Sequence, residues 1–268
     1  MEYFKTSNGI PVHISDSEKG ERTIIFLHGY LETLYIWEEF RDLLPDSFRF
    51  ISIDLPGHGL SGTHPESNTM EFNADVIAGI LDKLSIESAI LVGHSMGGYV
   101  AQAFLKKYPD RTDAIIHLNS NVHSDDSTKK DQRLKEIHFI QNGKLTTLAQ
   151  IAIPNMFAKE NLPLCSEKIE ESIELCDTHD PEGISAVVRG LMDRPDNLEF
   201  LKGVTKPIMF VFGDSDSYTS VNMAKQILSE IPQAKGYFIA SSGHNSFIEH
   251  PQQTADILIE FLKENSLI

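Results

Sequence analysis

The sequence predicts an α/β protein built on a mostly parallel sheet with helices on both faces. Three observations predict it. Apolar runs of strand length recur: Thr23-Ile24-Ile25-Phe26-Leu27, Phe50-Ile51-Ser52-Ile53, Ala89-Ile90-Leu91-Val92, Ala114-Ile115-Ile116-His117-Leu118 and Ile208-Met209-Phe210-Val211-Phe212. Stretches with apolar residues at helical spacing alternate with them. Most of these runs stop abruptly at a polar loop. Uninterrupted apolar strands separated by amphipathic helices mark a parallel sheet buried on both sides. The chain has 268 residues, 41% hydrophobic and 23% charged, enough for one large soluble domain or two small ones.

In chain order, residues 3–14 read as two short strands turned at Asn8-Gly9, an antiparallel edge. The strand ending at Leu27 meets His28-Gly29-Tyr30. A helix is expected around Trp37, Phe40, Leu43 and Leu44, ended by Pro45. The next strand stops at Asp54-Leu55-Pro56-Gly57-His58-Gly59. Phe72, Val76, Ile77, Ile80, Leu81 and Leu84 mark one face of a helix. From 121 to 200 strand-like runs vanish, and the segment is polar, proline-broken and helical where it is periodic. It is expected to be a helical insertion, with 1–120 and 201–268 forming the core. The alternation then resumes, with a helix face at Val221, Ala224, Ile227 and Leu228, a strand at Gly236-Tyr237-Phe238-Ile239, and a closing helix at Ile257, Leu258, Phe261 and Leu262.

The chemistry concentrates at Gly93-His94-Ser95-Met96-Gly97-Gly98, between a buried strand and a helix with Met96, Tyr99, Val100, Ala103 and Phe104 on one face. A serine at so sharp a turn needs small neighbours, which Gly93 and Gly97 supply, and the helix N-terminus offers free N–H groups beside it. Later strands end at Gly213-Asp214-Ser215-Asp216 and Ser241-Ser242-Gly243-His244. In a parallel sheet the C-terminal strand ends share one side, so these loops should converge. A serine hydroxyl needs a base, and imidazole titrates nearest the working pH. Ser95 is therefore the expected nucleophile and His244 the expected base. A carboxylate should orient the other ring nitrogen, and both Asp214 and Asp216 are candidates.

These motifs together resemble the α/β-hydrolase-fold family, in the serine-hydrolase branch with a helical cap. The resemblance covers nearly the whole chain outside 121–200. It implies Asp216, three residues after the glycine, as the triad acid. It also implies an oxyanion hole made by the backbone N–H groups of Tyr30 and Met96, with His28 propping its loop. Esterases and carbon–carbon hydrolases share such elbows, so the expected activity is hydrolysis of a small carboxylic ester or related acyl compound through an acyl-enzyme. Carbon–carbon or thioester cleavage, with Arg189 meeting a substrate carboxylate, and a slow or non-catalytic receptor are the alternatives. Haloalkane dehalogenases and epoxide hydrolases of this fold carry Asp where this chain has Ser95.

The formal charge of −16 argues against nucleic acid or an anionic membrane as the main partner. A small-molecule acyl substrate is the partner expected. No metal spacing, P-loop or dinucleotide fingerprint is visible, so no cofactor or metal is expected. No signal peptide or transmembrane run is recognisable, and Cys165 and Cys176 read as reduced structural thiols, so a cytoplasmic location is expected. His58 reads as a loop residue, His94 as pointing away from substrate, His117 as a core histidine, and His123 and His138, in or near the insertion, as surface positions or, alternatively, pocket lining. The run from Glu167 to Asp177 reads as a solvated helix face. Ile151, Ile153, Met156, Phe157, Leu162 and Leu164 suggest either an apolar pocket lining or internal packing of the insertion.

Overall fold

A computed structural model describes all 268 residues. The expected strands form one eight-stranded sheet. They are β1 (Glu2–Ser7), β2 (Ile10–Asp16), β3 (Arg22–Leu27), β4 (Phe48–Ile53), β5 (Ala89–His94), β6 (Thr112–Leu118), β7 (Ile208–Gly213) and β8 (Lys235–Ile239). Their spatial order is β1-β2-β4-β3-β5-β6-β7-β8. The first two pairings, β1 with β2 and β2 with β4, are antiparallel, and the rest are parallel. The hairpin turns at Asn8 (φ 47°) and Gly9 (φ 83°), left-handed conformations that suit this residue pair.

Side-chain alternation explains why the strands read as continuous apolar runs. Ile25, Leu27, Leu91, Ile115 and Phe210 point to one face. Ile24, Phe26, Ile90, Val92 and Met209 point to the other. Both faces are covered, so neither set can be polar.

The helices are α1 (Glu38–Arg41), α2 (Met70–Lys83), α3 (Met96–Lys107), α4 (Ser127–Gln141), α5 (Leu145–Ala152), α6 (Ser166–Cys176), α7 (Pro181–Asp193), α8 (Leu198–Lys202), α9 (Val221–Glu230), α10 (Ser246–Glu249) and α11 (Pro251–Glu264). Side-chain caps follow the chemistry: Thr69 accepts from Phe72 N–H before α2, Asp126 from Lys129 N–H before α4, and Ser220 from Met223 N–H before α9. The first faces pack with α2, α3 and α9 on one side of the sheet and with α11 and Trp37 on the other. No helix is long and apolar enough to cross a membrane.

The helix expected around Trp37 is reduced to a 3-10 turn, Leu34–Trp37, and the single turn α1. Asp54 Oδ1 accepts from the Leu34 N–H at 2.8 Å, which fixes the entry, while Trp37 and Phe40 are drawn into the core. Helices α4 to α8 all lie between β6 and β7. Helices α4 to α7 share an apolar cluster of their own, including Ile140, Ala149, Ile153, Phe157 and Ile184, joined by Leu31 from the loop after β3, while Leu201 of α8 packs into the core beneath α2, α3 and α9.

Candidate active site

Ser95 stands between β5 and α3 with φ 48° and ψ −111°, a conformation that costs energy for a residue with a side chain. The surroundings hold it there. Its N–H donates to Leu118 O at 3.0 Å, and its carbonyl accepts from Gly98 N–H at 3.0 Å and from Ser120 Oγ at 2.7 Å. The glycines are required by close approach of backbone. A Cβ at Gly93 would lie 2.4 Å from the Gly97 carbonyl, and one at Gly97 would lie 2.0 Å from Leu27 O. Strand β3, strand β5 and helix α3 are thus packed so tightly at the turn that only glycine fits.

Of the two candidate carboxylates, Asp216 meets the histidine. Its Oδ2 accepts from His244 Nδ1 at 2.8 Å, and its Oδ1 accepts from the N–H groups of Tyr218 (2.7 Å) and Thr219 (3.0 Å). Burial raises the Asp216 carboxyl. The charge and hydrogen bond of His244 and the two N–H donors outweigh it and hold the group below its ordinary value. Asp214 instead ties its loop to the loop after β8, accepting from Ser241 N–H at 2.8 Å. Ser95 and His244 line one cavity of about 870 Å³, and no hydrogen bond joins them. The Tyr218 ring packs at 4.7 Å on the imidazole of His244.

Sequence reading gave no role to two residues around this pair. Asn119, just past β6 with φ 50°, donates from Nδ2 to Asp216 Oδ2 (3.2 Å) and Gly243 O (3.0 Å), and its Oδ1 accepts from Ser246 Oγ at 2.6 Å. Its position at a strand end on the site's edge is the signal that could have found it. Glu249 accepts from Gly243 N–H (2.9 Å), Ala158 N–H (2.8 Å) and Asn161 Nδ2 (2.8 Å), tying the His244 loop to the inserted helical segment.

The loop after β3 reaches the same place. Tyr30 and Met96 both border the cavity. The Tyr30 N–H donates to no group of the chain, and Met96 opens α3, where an N–H has no intrahelical acceptor. His28 is fully buried; Nδ1 donates to Gly29 O at 2.7 Å and Nε2 accepts from Leu55 N–H at 2.9 Å, which braces the loop. Asp54 anchors the next loop, accepting from His13 Nδ1 (2.8 Å) and Leu60 N–H (3.0 Å). His94 is turned away from the cavity, between Glu32 Oε2 (2.8 Å) and His244 O (2.9 Å). His58 is buried edge-on to His28 and His179. His117 stacks on Phe210 at 4.3 Å within the core. His123 pairs with Asp196 at 2.9 Å on the cavity rim, and His138 is exposed.

Of the two readings open for the six apolar residues of the insertion, internal packing describes more of them than cavity lining does. Only Met156 of the six lines the cavity. Ile153 and Phe157 are buried in the inserted segment's own cluster, and Ile151 and Leu164 are exposed. The apolar lining comes instead from Phe139, Leu148, Ala152, Leu191 and Met223. Arg189 lies outside the lining and donates to Glu66 O at 3.0 Å. The cations on the wall are different ones. Arg194 pairs with Asp125 at 2.8 Å, and Arg133 bridges Asp125 and Glu136. Lys129 makes no ion pair, and burial and Arg133 hold its ammonium below its ordinary value.

Comparison with known proteins agrees with this architecture. The family model described as "alpha/beta hydrolase fold" matches residues 22–135. A hydrolase of Bacillus subtilis, YugF, is 25% identical over 96% of this chain and 96% of its own. A 2-hydroxy-6-oxononadienedioate/2-hydroxy-6-oxononatrienedioate hydrolase of Paraburkholderia phymatum is 24% identical over 94% of this chain and 90% of its own. Among solved structures, a thermophilic esterase from Thermogutta terrifontis superposes with a TM-score of 0.92, 27% identity and 99% coverage of both chains. With its sheet order, its strand-to-helix serine and these similarities, the chain has the α/β-hydrolase fold and is similar to hydrolases that share it.

Proposed function

We propose that the protein is a serine hydrolase of small carboxylic esters. The observation that carries the reading is the buried Asp216–His244 hydrogen bond of 2.8 Å, placed on the wall of the cavity that Ser95 also faces. His244 Nε2 takes the Ser95 proton as Oγ attacks the ester carbonyl. The carbonyl oxygen becomes an oxyanion between the N–H groups of Tyr30 and Met96, preorganised donors of the kind that supply most of such stabilisation. His244 returns the proton to the leaving alkoxide, and an acyl-enzyme remains on Ser95. Water, deprotonated by His244, then releases the acid and restores the serine. Asp216 holds the imidazole with Nδ1 protonated and Nε2 free to accept. The inserted segment 121–200 acts as a cap whose Phe139, Leu148 and Met156 select the acyl group. Resemblance to an esterase at 27% identity supports the reading. Ser95→Ala should lower turnover of short p-nitrophenyl esters about ten-thousand-fold or more and abolish labelling by a fluorophosphonate. Activity that survives the substitution overturns it.

A second reading rests on the charged side of the cavity. Lys129, unpaired on α4, suits a substrate that carries a carboxylate, as a ring-fission dienone does. Relatives named as hydrolases of dicarboxylated oxo-dienes, 24% identical, point the same way. Turnover of such a dienone that exceeds ester turnover, and that falls in Lys129→Ala, favours carbon–carbon cleavage.

A further inference from the structure

His94 and Glu32 sit behind the site, out of contact with the cavity. His94 is fully buried and Glu32 is 5% exposed. His94 Nδ1 faces Glu32 Oε2 at 2.8 Å, and His94 Nε2 faces the His244 carbonyl at 2.9 Å. A carboxylate and a carbonyl are both acceptors. A neutral imidazole carries one proton and satisfies one of them; only the imidazolium satisfies both. The same Glu32 Oε2 also accepts from Gly29 N–H at 2.6 Å. The packing is close: a Cβ on Gly29 would lie 2.7 Å from His94 Nδ1 and 2.8 Å from Glu32 Oε2.

We infer that Glu32 and His94 are a standing carboxylate–imidazolium pair that positions the three working loops of the site against one another. Gly29 belongs to the loop that presents the Tyr30 N–H. His94 immediately precedes Ser95. The His244 carbonyl belongs to the residue that acts as base. One ion pair therefore joins oxyanion loop, nucleophile and base, and neither member touches the substrate cavity. Breaking a buried pair leaves an uncompensated charge, so its geometry is held tightly. Both shifts agree in direction. Burial lowers His94, but Glu32 more than offsets it and the ring is held above its ordinary value; burial raises Glu32, but His94 and Gly29 N–H hold it below. The positioning role rests on the Ser95 reading; the charge state of His94 does not.

Two measurements test the inference. In wild-type protein labelled with ¹⁵N-histidine, the His94 resonances, assigned by their loss in His94→Asn, should show both ring nitrogens protonated at pH 7. A singly protonated ring overturns the pair, whatever Ser95 does. Glu32→Gln keeps an oxygen for Gly29 N–H and His94 Nδ1 and removes only the charge. It should lower kcat on a p-nitrophenyl ester about 10- to 100-fold, as expected of an ångström-scale misplacement, with KM within about two-fold. Its circular dichroism should remain native. If kcat stays within about two-fold while Ser95→Ala is inactive, the positioning role is overturned and the hydrolase reading stands. Should Glu32→Gln not fold, Glu32→Asp, which keeps the charge but shortens the reach, must show the same kcat-selective loss; a loss confined to KM overturns the role.

Discussion

At the scale of single residues, the proposed acid has a diagnostic variant. In Asp216→Asn, the pocket at Oδ1 still offers two backbone N–H donors, from Tyr218 and Thr219. Those donors hold the amide oxygen, so the amide NH2 turns toward His244 Nδ1. The imidazole must then accept at Nδ1 and carry its proton on Nε2, the nitrogen that should receive the Ser95 proton. We expect kcat to fall about ten-thousand-fold at neutral pH, the size of a wrong-tautomer defect, with the fold intact. Asp214→Asn should stay within a few-fold, because Asp214 does not meet His244 and the amide oxygen can keep its two bonds, from Ser215 Oγ and from Ser241 N–H in the loop after β8. Ester kinetics on the two variants decide between them, and equal losses would contradict the assignment of roles.

Among secondary-structure elements, the junction of β3, β5 and α3 is the least forgiving part of the molecule. Gly97→Ala drives a Cβ to 2.0 Å from a β3 carbonyl, which cannot yield as a side chain would. It should cost about 3 kcal/mol or more in urea denaturation, or prevent soluble expression. Gly143→Ala, at φ 71° with no atom within 4 Å of the new Cβ, carries only the left-handed penalty of about 1 kcal/mol. The contrast shows why this junction was legible in the sequence. Its glycines, the apolar run before it and the helical face after it are local patterns, and local patterns print directly onto sequence. The strand ends bearing Asp216 and His244 were legible for a related reason, since a parallel sheet brings such ends together. The supports were not. Asn119 meets Asp216 across 97 positions, and His94 meets the His244 carbonyl across 150. Nothing in either neighbourhood of the sequence announces the other. The cavity wall was unreadable for a different reason. Packing within the inserted segment and facing the substrate both require apolar residues, so composition could not separate Phe157, which is buried, from Met156, which lines the cavity.

For the whole molecule, the buried histidines set how stability follows pH. His117 has no exposed surface; it accepts at Nε2 from Gln102 and donates from Nδ1 to Met209 O, so it is neutral, and burial pushes it down to about 4. Burial likewise lowers His179 to about 4, and it lowers His28 and His58. In the unfolded chain all four take up a proton near pH 6.5, whereas the folded chain holds them neutral. Unfolding therefore binds protons below about 6.5, and stability falls as the pH drops from there, by about 1.4 kcal/mol per pH unit for each such histidine until its folded value is reached. His13, raised chiefly by its hydrogen bond to Asp54, and His94, raised by Glu32 against its burial, act in the opposite sense: their contribution is complete below 6.5 and is lost as the pH rises through their folded values. Four groups thus destabilise on the acid side and two on the alkaline side, which places maximum stability near neutrality. Urea titrations at pH 7 and pH 5 should show a clear loss of unfolding free energy. In His117→Gln, which cannot titrate, the loss should be smaller by about 2 kcal/mol over those two units. An unchanged pH dependence in that variant would mean that His117 is protonated in the fold, and the neutral, Nδ1-protonated core histidine described here would be wrong.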